Sequence, residues 1–179
     1  MSPSFAQEFL QRLLICGADE RDKSNRSSVT HIVSIANPGA GNSKPSWFNG
    51  AHLQLWFGDV ISEADAKRCK SRAPTVEDIQ NAVSFFRTAW RQGRSRILVT
   101  CDYGASRSPA LAYIFIADQM GNGREPEAFE VLLNLRPDCL PNGLVIRLGD
   151  SCLNRQGALI APFKEFQAKI NAELFKPRS

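Results

Sequence analysis

A cysteine and an arginine with five residues between them stand inside Thr100-Cys101-Asp102-Tyr103-Gly104-Ala105-Ser106-Arg107-Ser108-Pro109. The residue types around that pair are those needed to hold an oxyanion and attack it. Ile97-Leu98-Val99 just before them is apolar, with two β-branched residues, and reads as a buried strand. Gly104 and Ala105 allow a tight turn whose successive N–H groups face one centre as an anion-binding nest. Ser106 or Ser108 can cap the helix that follows, and Pro109 fits its first turn, where a missing N–H is no loss. Ala110 to Met120 continue as an apolar helix. Its N-terminus carries about half a positive charge and is aimed at the turn. Arg107 adds a planar fork matched to two phosphate oxygens. A helix N-terminus and a nearby cation favour thiolates over thiols, which makes Cys101 the candidate nucleophile.

Most cysteines are inert buried residues. The arginine six positions on, the intervening glycine and the flanking serines argue against that reading for Cys101. Tyr103 either stacks on a substrate ring or shields the loop. Asp102 places a negative charge within the loop: turned outward it reads the substrate, turned inward it opposes phosphate. The other four cysteines, Cys16, Cys69, Cys139 and Cys152, are scattered without metal-ligand spacing and read as structural. Their scatter and the odd total point to a reducing, cytoplasmic compartment.

The loop resembles the active-site loop of the cysteine-dependent protein tyrosine phosphatases, and more closely that of their dual-specificity branch, which reads His-Cys-x-x-Gly-x-Ser-Arg-Ser. The resemblance implies that Cys101 takes up the phosphoryl group. It implies that the backbone of Asp102, Tyr103, Gly104, Ala105, Ser106 and Arg107 cradles the phosphate, with Arg107 gripping it. Ser108 would hydrogen-bond the thiolate as it leaves. Thr100 departs from the pattern: the family's histidine helps to organise the loop around the thiol.

The elements that must position this loop follow from local pattern. Leu13-Leu14-Ile15-Cys16, Thr30 to Ala36 and His52 to Phe57 read as further strands, the last with Leu53, Leu55 and Phe57 on one face. Ala18 to Ser28 reads as a connection or short helix. The loop from Asn37 to Gly50 carries Trp47 and Phe48, which read as either loop anchors or substrate contacts, the anchor being favoured. Residues 60–74 are polar, and Lys67, Arg68, Lys70 and Arg72 form either a solvated face or a substrate contact. Thr75-Val76-Glu77-Asp78 has the pattern of a capping box. Ile79, Ala82, Val83, Phe86 and Trp90 then recur at helical spacing up to Gly93. Pro126 to Leu135 forms a further helix, broken by Arg136-Pro137, and Pro141-Asn142-Gly143 opens another. Ile160, Phe163, Phe166, Ile170 and Leu174 mark the apolar face of the last. Strands alternating with helices imply an α/β fold: a mainly parallel central sheet of about four to five strands with helices on both faces. A length of 179 residues suits a single domain over residues 1–179.

A hydrophobic content of 43% is ample for a core. The net charge of +4 suits an acidic substrate group, and no basic run interleaved with aromatics points to nucleic acid. No apolar stretch approaches the about 18 residues of a membrane span. With Glu8 so early, the expectation is a cytoplasmic chain with no signal peptide and no membrane partner.

In parallel sheets, sites gather beyond the carboxyl ends of the strands, which pairs Asp59 with Cys101. Leu55-Trp56-Phe57-Gly58-Asp59-Val60 resembles the segment that carries the phosphatases' aspartate. The resemblance implies that Asp59 is the general acid, and then the base, with Glu63 and Asp65 as rivals. Arg136 and Pro141-Asn142 resemble the family's arginine and Pro-Asn pair, a structural feature. The run from Thr30-His31-Ile32-Val33-Ser34-Ile35 to Asn154-Arg155-Gln156-Gly157 looks most like bacterial tyrosine-phosphatase-like proteins. The implied function is a protein tyrosine or dual-specificity phosphatase working through a cysteinyl-phosphate on a phosphorylated protein or peptide. No metal or cofactor is called for, since Arg107, the loop amides and the helix dipole supply the charge stabilisation. One alternative is a catalytically weak module that recognises a phosphorylated partner. Another is an inositol or lipid phosphatase, against which the absence of a loop lysine counts.

Overall fold

Four apolar segments, Leu13–Gly17 (β1), His31–Ala36 (β2), Ala51–Trp56 (β3) and Ile97–Cys101 (β4), form one parallel sheet in the order β1-β4-β2-β3. The computed structural model describes residues 5–23 and 28–174. All five residues of β4 are buried, because it lies between β1 and β2. Its register sets Cys101 opposite Gly17, so the thiol emerges at the carboxyl edge of the sheet.

The helices are Phe5–Arg12 (α1), Ala18–Lys23 (α2), Glu63–Arg68 (α3), Val76–Arg91 (α4), Arg107–Met120 (α5), Glu125–Leu135 (α6), Gly143–Cys152 (α7) and Ile160–Leu174 (α8). Helices flank the sheet as the strand–helix alternation implies, but its two faces are unequal. Strand residues alternate in direction. Leu13, Ile15, Val33, Ile35, Leu55 and Val99 pack into the main core with Phe86, Leu111, Phe115 and Val145. Cys16, Ile32 and Leu98 face the other way, where Val29 and Phe48 cover them and Trp47 packs alongside. The aromatic pair of the long loop is therefore an anchor.

Helix α5 is buried nearly all round, from Arg107 through Ala117, which is the signature of a core helix. A polar network fixes its outer side. The Tyr113 hydroxyl donates to the carbonyls of Glu125 (3.3 Å) and Leu159 (3.2 Å). Arg155 pairs with Glu125 at 2.7 Å and donates to the Ala117 carbonyl at 2.9 Å. Burial raises the Tyr113 phenol far above its ordinary value, so it stays a donor.

Two helices are not foreseen by pattern. In α1 a single fully buried residue, Phe9, stacks on Trp90 with ring centroids 4.7 Å apart, and the Arg12 guanidinium lies over the Trp90 ring, 3.7 Å from its centroid. Helix α3 is short and polar, and it is held by its cap, where Ser62 accepts from the Asp65 N–H at 3.1 Å. The capping box of α4 is formed by Thr75 and Asp78. Of the segment read as a connection or short helix, residues 18–23 are α2; residues 24–27 and the side chain of Leu174 lie outside the described residues.

Candidate active site

The loop after β4 is pressed against the end of β1. Gly104 has φ +67°, and a Cβ there would sit 2.4 Å from the backbone of Cys16 and Gly17, so only glycine fits. The loop carbonyls are tied outward. Asp102 O accepts from Ala18 N (3.0 Å), Tyr103 O from Arg136 (3.4 Å), Ala105 O from Leu140 N (2.7 Å) and Ser106 O from Asn142 N (3.1 Å). Arg136 is itself held by Glu20 at 2.7 Å. The N–H groups of residues 102–106 find no protein acceptor among the described residues. Carbonyls turned out and amides left over are the makings of an anion nest. Tyr103 is 82% exposed and stands at the rim.

Cys101 is 4% exposed, and its Sγ lies 3.2 Å from the hydroxyl of the fully buried Ser108. Thr100 is buried too, and its hydroxyl makes a long bond of 3.4 Å to the Cys101 carbonyl. Cys16, registered with Thr100, faces the opposite side of the sheet from Cys101.

Arg107 is 2% exposed. Its Nη1 donates to Phe57 O (3.0 Å) and to Asn37 Oδ1 (3.2 Å), and its Nη2 to Asp102 Oδ2 (2.8 Å). Its Nε is buried with no partner. Such an orphan donor is expensive to bury and is ready to donate to an oxyanion on the loop.

Asp59 stands over the start of α5. Its Oδ1 accepts from the Ser106 hydroxyl (2.7 Å) and from Asn142 Nδ2 (2.8 Å), while Oδ2 lies 4.0 Å from Arg107 Nε. Ser106 occupies the N-cap position of α5, but its hydroxyl goes to Asp59 and makes no cap bond. The segment bearing Asp59 is clamped. Gly58 N donates to Arg72 O at 2.8 Å, and Arg72 bridges Trp56 O (2.6 Å) to both oxygens of Asp78 (2.8 Å each). Arg72 thus fastens β3 to α4, and Arg68 pairs with Asp65 within α3. Asp65 also accepts from the Ile61 N–H, and these two contacts hold its carboxyl below its ordinary range. Among the described residues, Asp59 is the one of the three candidate acids that bonds to the loop.

Asn37 escapes local pattern, and Asn142, legible as the opening of a helix, has a reach to Asp59 that the pattern does not give. Asn37 follows β2 at the carboxyl edge of the sheet, and position at that edge is the signal that could find it. Asn142 caps α7 by accepting from Leu144 N and Val145 N, both at 3.0 Å, and turns its amide onto Asp59 and Val60 O. A cavity of about 560 Å³ opens beside Asp59 and Ser106 and is bounded by Asn142, Arg147, Phe163 and Phe166.

Neither a protein-family model nor a curated protein matches the chain. Solved structures do. The human tyrosine phosphatase-like serine/threonine/tyrosine-interacting protein aligns with a TM-score of 0.62 at 20% identity, over 79% of this chain and 90% of its own. The chain has a dual-specificity phosphatase-like fold. Human DUSP28 shares that fold with a TM-score of 0.59 at 20% identity, over 88% of this chain and 94% of its own. PTPMT1, solved in complex with PI(5)P, aligns with a TM-score of 0.53 at 14% identity, over 80% of this chain and 90% of its own. At these identities the likeness is one of fold, and the chemistry must be argued from this chain's residues. Among the described residues of this phosphatase-like fold, no helix is long and apolar enough to cross a membrane.

Proposed function

We propose that the protein is a cysteine-dependent phosphomonoester hydrolase acting on phosphotyrosine, with scope for phosphoserine and phosphothreonine, in cytoplasmic proteins. The observation that carries this reading is the set of outward-tied carbonyls that leaves the loop amides free around Cys101 and beside the orphan Nε of Arg107. In the first step the Cys101 thiolate attacks phosphorus and forms the S–P bond. The P–O bond to the leaving group breaks as Asp59 gives its proton to the departing oxygen. In the second, water attacks phosphorus and passes a proton to the Asp59 carboxylate. The S–P bond breaks, and the Ser108 hydroxyl donates to the returning thiolate. The tether of Asp59 to Ser106 and Asn142 supports the enzyme reading, because it fixes one carboxylate oxygen and leaves the other for proton transfer. The spacing of Cys101 and Arg107 supports the substrate class, and the scatter and odd number of the five cysteines support the reducing compartment. The long Thr100 contact favours the second reading, a module that binds phosphorylated partners and turns them over poorly.

Metal-free turnover of phosphotyrosine, phosphoserine and phosphothreonine peptides and of a phosphatidylinositol phosphate, with wild type, Cys101→Ser and Arg107→Lys, separates the readings. We expect peptide turnover that disappears in Cys101→Ser and falls about 10²–10³-fold in Arg107→Lys, the loss typical of one oxyanion donor. Phosphopeptide binding without turnover would favour the module, and turnover of the lipid alone would move the substrate class.

A further inference from the structure

We propose that Asp102 is a resident anion of the phosphate site: in the free protein its carboxylate occupies the arginine fork, and phosphate binds by displacing it. This rests on reading the loop as a phosphate site. Three side chains close a ring. Arg107 Nη2 donates to Asp102 Oδ2 at 2.8 Å, Asn37 Nδ2 donates to the same oxygen at 3.0 Å, and Asn37 Oδ1 accepts from Arg107 Nη1 at 3.2 Å.

The burial of the two charged partners differs sharply. The Arg107 side chain is 2% exposed, and it is pinned by Phe57 O as well as by Asn37. The Asp102 side chain is 41% exposed. The member of the pair with room to move is therefore the carboxylate. Its backbone need not follow, because Asp102 O stays tied to Ala18 N at 3.0 Å. A side-chain rotation alone can release the fork while the cradle keeps its shape.

The release is required by the geometry of the grip. A two-point hold on phosphate needs two neighbouring N–H donors of one guanidinium. With Nη1 directed to Phe57 and Asn37, the pair left is Nε and Nη2, and Asp102 holds Nη2. Charge points the same way. Asp102 at 2.8 Å is paired with the guanidinium that an incoming dianion must occupy, so the dianion meets a carboxylate already on its cation. The apparent affinity for phosphate is then lowered by the fraction of molecules in which Asp102 is turned away. Asp102 acts as a positioning residue that keeps the fork ordered and weakens the hold on free phosphate.

The test is calorimetric titration of inorganic phosphate and of a phosphotyrosine peptide into Cys101→Ser, Cys101→Ser/Asp102→Asn and Cys101→Ser/Asp102→Ala. Asn keeps the size of the side chain and removes its charge; Ala removes the contact altogether. We expect both double variants to bind both ligands about tenfold more tightly, equivalent to about 1.4 kcal/mol. A gain of affinity cannot come from a damaged fold. Equal or weaker binding in both double variants, with the parent still binding phosphate, would overturn the resident-anion proposal and leave the phosphatase reading in place. Absence of phosphate binding in the parent and both variants would overturn the phosphate-site reading itself.

Discussion

The hydroxyl of Ser106 donates to Oδ1 of Asp59 at 2.7 Å, across 47 positions of sequence. One residue belongs to the loop that would hold phosphate, the other to the segment that would supply a proton, and Asn142 adds a second bond to the same oxygen. Asp59→Asn should slow a phosphotyrosine peptide within the about 10²–10⁴-fold range of a positioned acid. It should slow p-nitrophenyl phosphate much less, because that phenoxide leaves without help. Asn142→Ala should shift the ratio in the same direction, since Asp59 loses one tether. Glu63→Gln and Asp65→Asn should leave the ratio of the two kcat/KM values unchanged. A ratio that moves with Glu63 or Asp65 would place the acid in α3.

Ser108 acts on the other half of the reaction. Its 3.2 Å contact with Sγ lets the hydroxyl stabilise the thiolate when the S–P bond breaks. A hydrogen bond to a charged group is worth about 1.5–3 kcal/mol, so Ser108→Ala should slow breakdown of the phosphoenzyme about 10- to 100-fold. Stopped-flow release of p-nitrophenol should then show a burst close to one equivalent, followed by a slow steady state. A variant with normal steady-state turnover and no burst would remove Ser108 from this role.

Gly104→Ala should destabilise the fold by at least about 2 kcal/mol, because left-handed strain of about 1–2 kcal/mol adds to the clash of a Cβ only 2.4 Å from the backbone of Cys16. Gly93 provides the control. It has a similar φ of +69°, but nothing lies within 4 Å of the place a Cβ would take, so Gly93→Ala should incur the strain alone. Urea midpoints of the two variants measure the difference, and equal shifts would contradict close contact between loop and β1.

Asp78 gives the clamp on the Asp59 segment a pH dependence. Burial pushes its carboxyl up, but the Arg72 guanidinium and the N–H and hydroxyl of Thr75 outweigh burial and hold it below its ordinary 3.8. A value lower in the folded than in the unfolded chain stabilises the fold above 3.8, and that stability is lost as pH falls through the folded value. Arg72 is 41% exposed, so water screens the pair. Asp78→Asn should therefore cost about 1 kcal/mol at neutral pH, within the range of a lost cap. The gap between wild type and variant in urea unfolding should close as the solution is acidified below the folded value. A gap independent of pH would mean that the charge of Asp78 contributes nothing.

The Cys101–Arg107 loop is legible in the sequence because its members are contiguous. Strand, tight turn and helix start follow one another, and each is set by neighbours a few residues away. The same holds for the four apolar strands, the Thr75–Asp78 capping box and the buried helix α5. Helix α1 is not legible, since its one fully buried apolar residue, Phe9, finds its reason in Trp90 and Phe115. Helix α3 has no apolar stripe to announce it, only the Ser62 cap.

What the sequence alone determined was local: the nucleophile's loop, the need for glycine at 104, the runs that become strands. What only the tertiary structure decided was where the loop's side chains point. Ser106 could cap α5 or reach elsewhere, and it reaches Asp59. Asp102 could face out or in, and it faces Arg107. Asn37 and Asn142, 70 positions before Arg107 and 83 after Asp59, complete the arrangement. Hydrogen bonds over such separations depend on the strand order β1-β4-β2-β3, which sets the ends of β2, β3 and β4 side by side. No pattern within a short window of neighbouring residues carries that information, because the energy of each bond resides in two groups that become neighbours only when the sheet has formed.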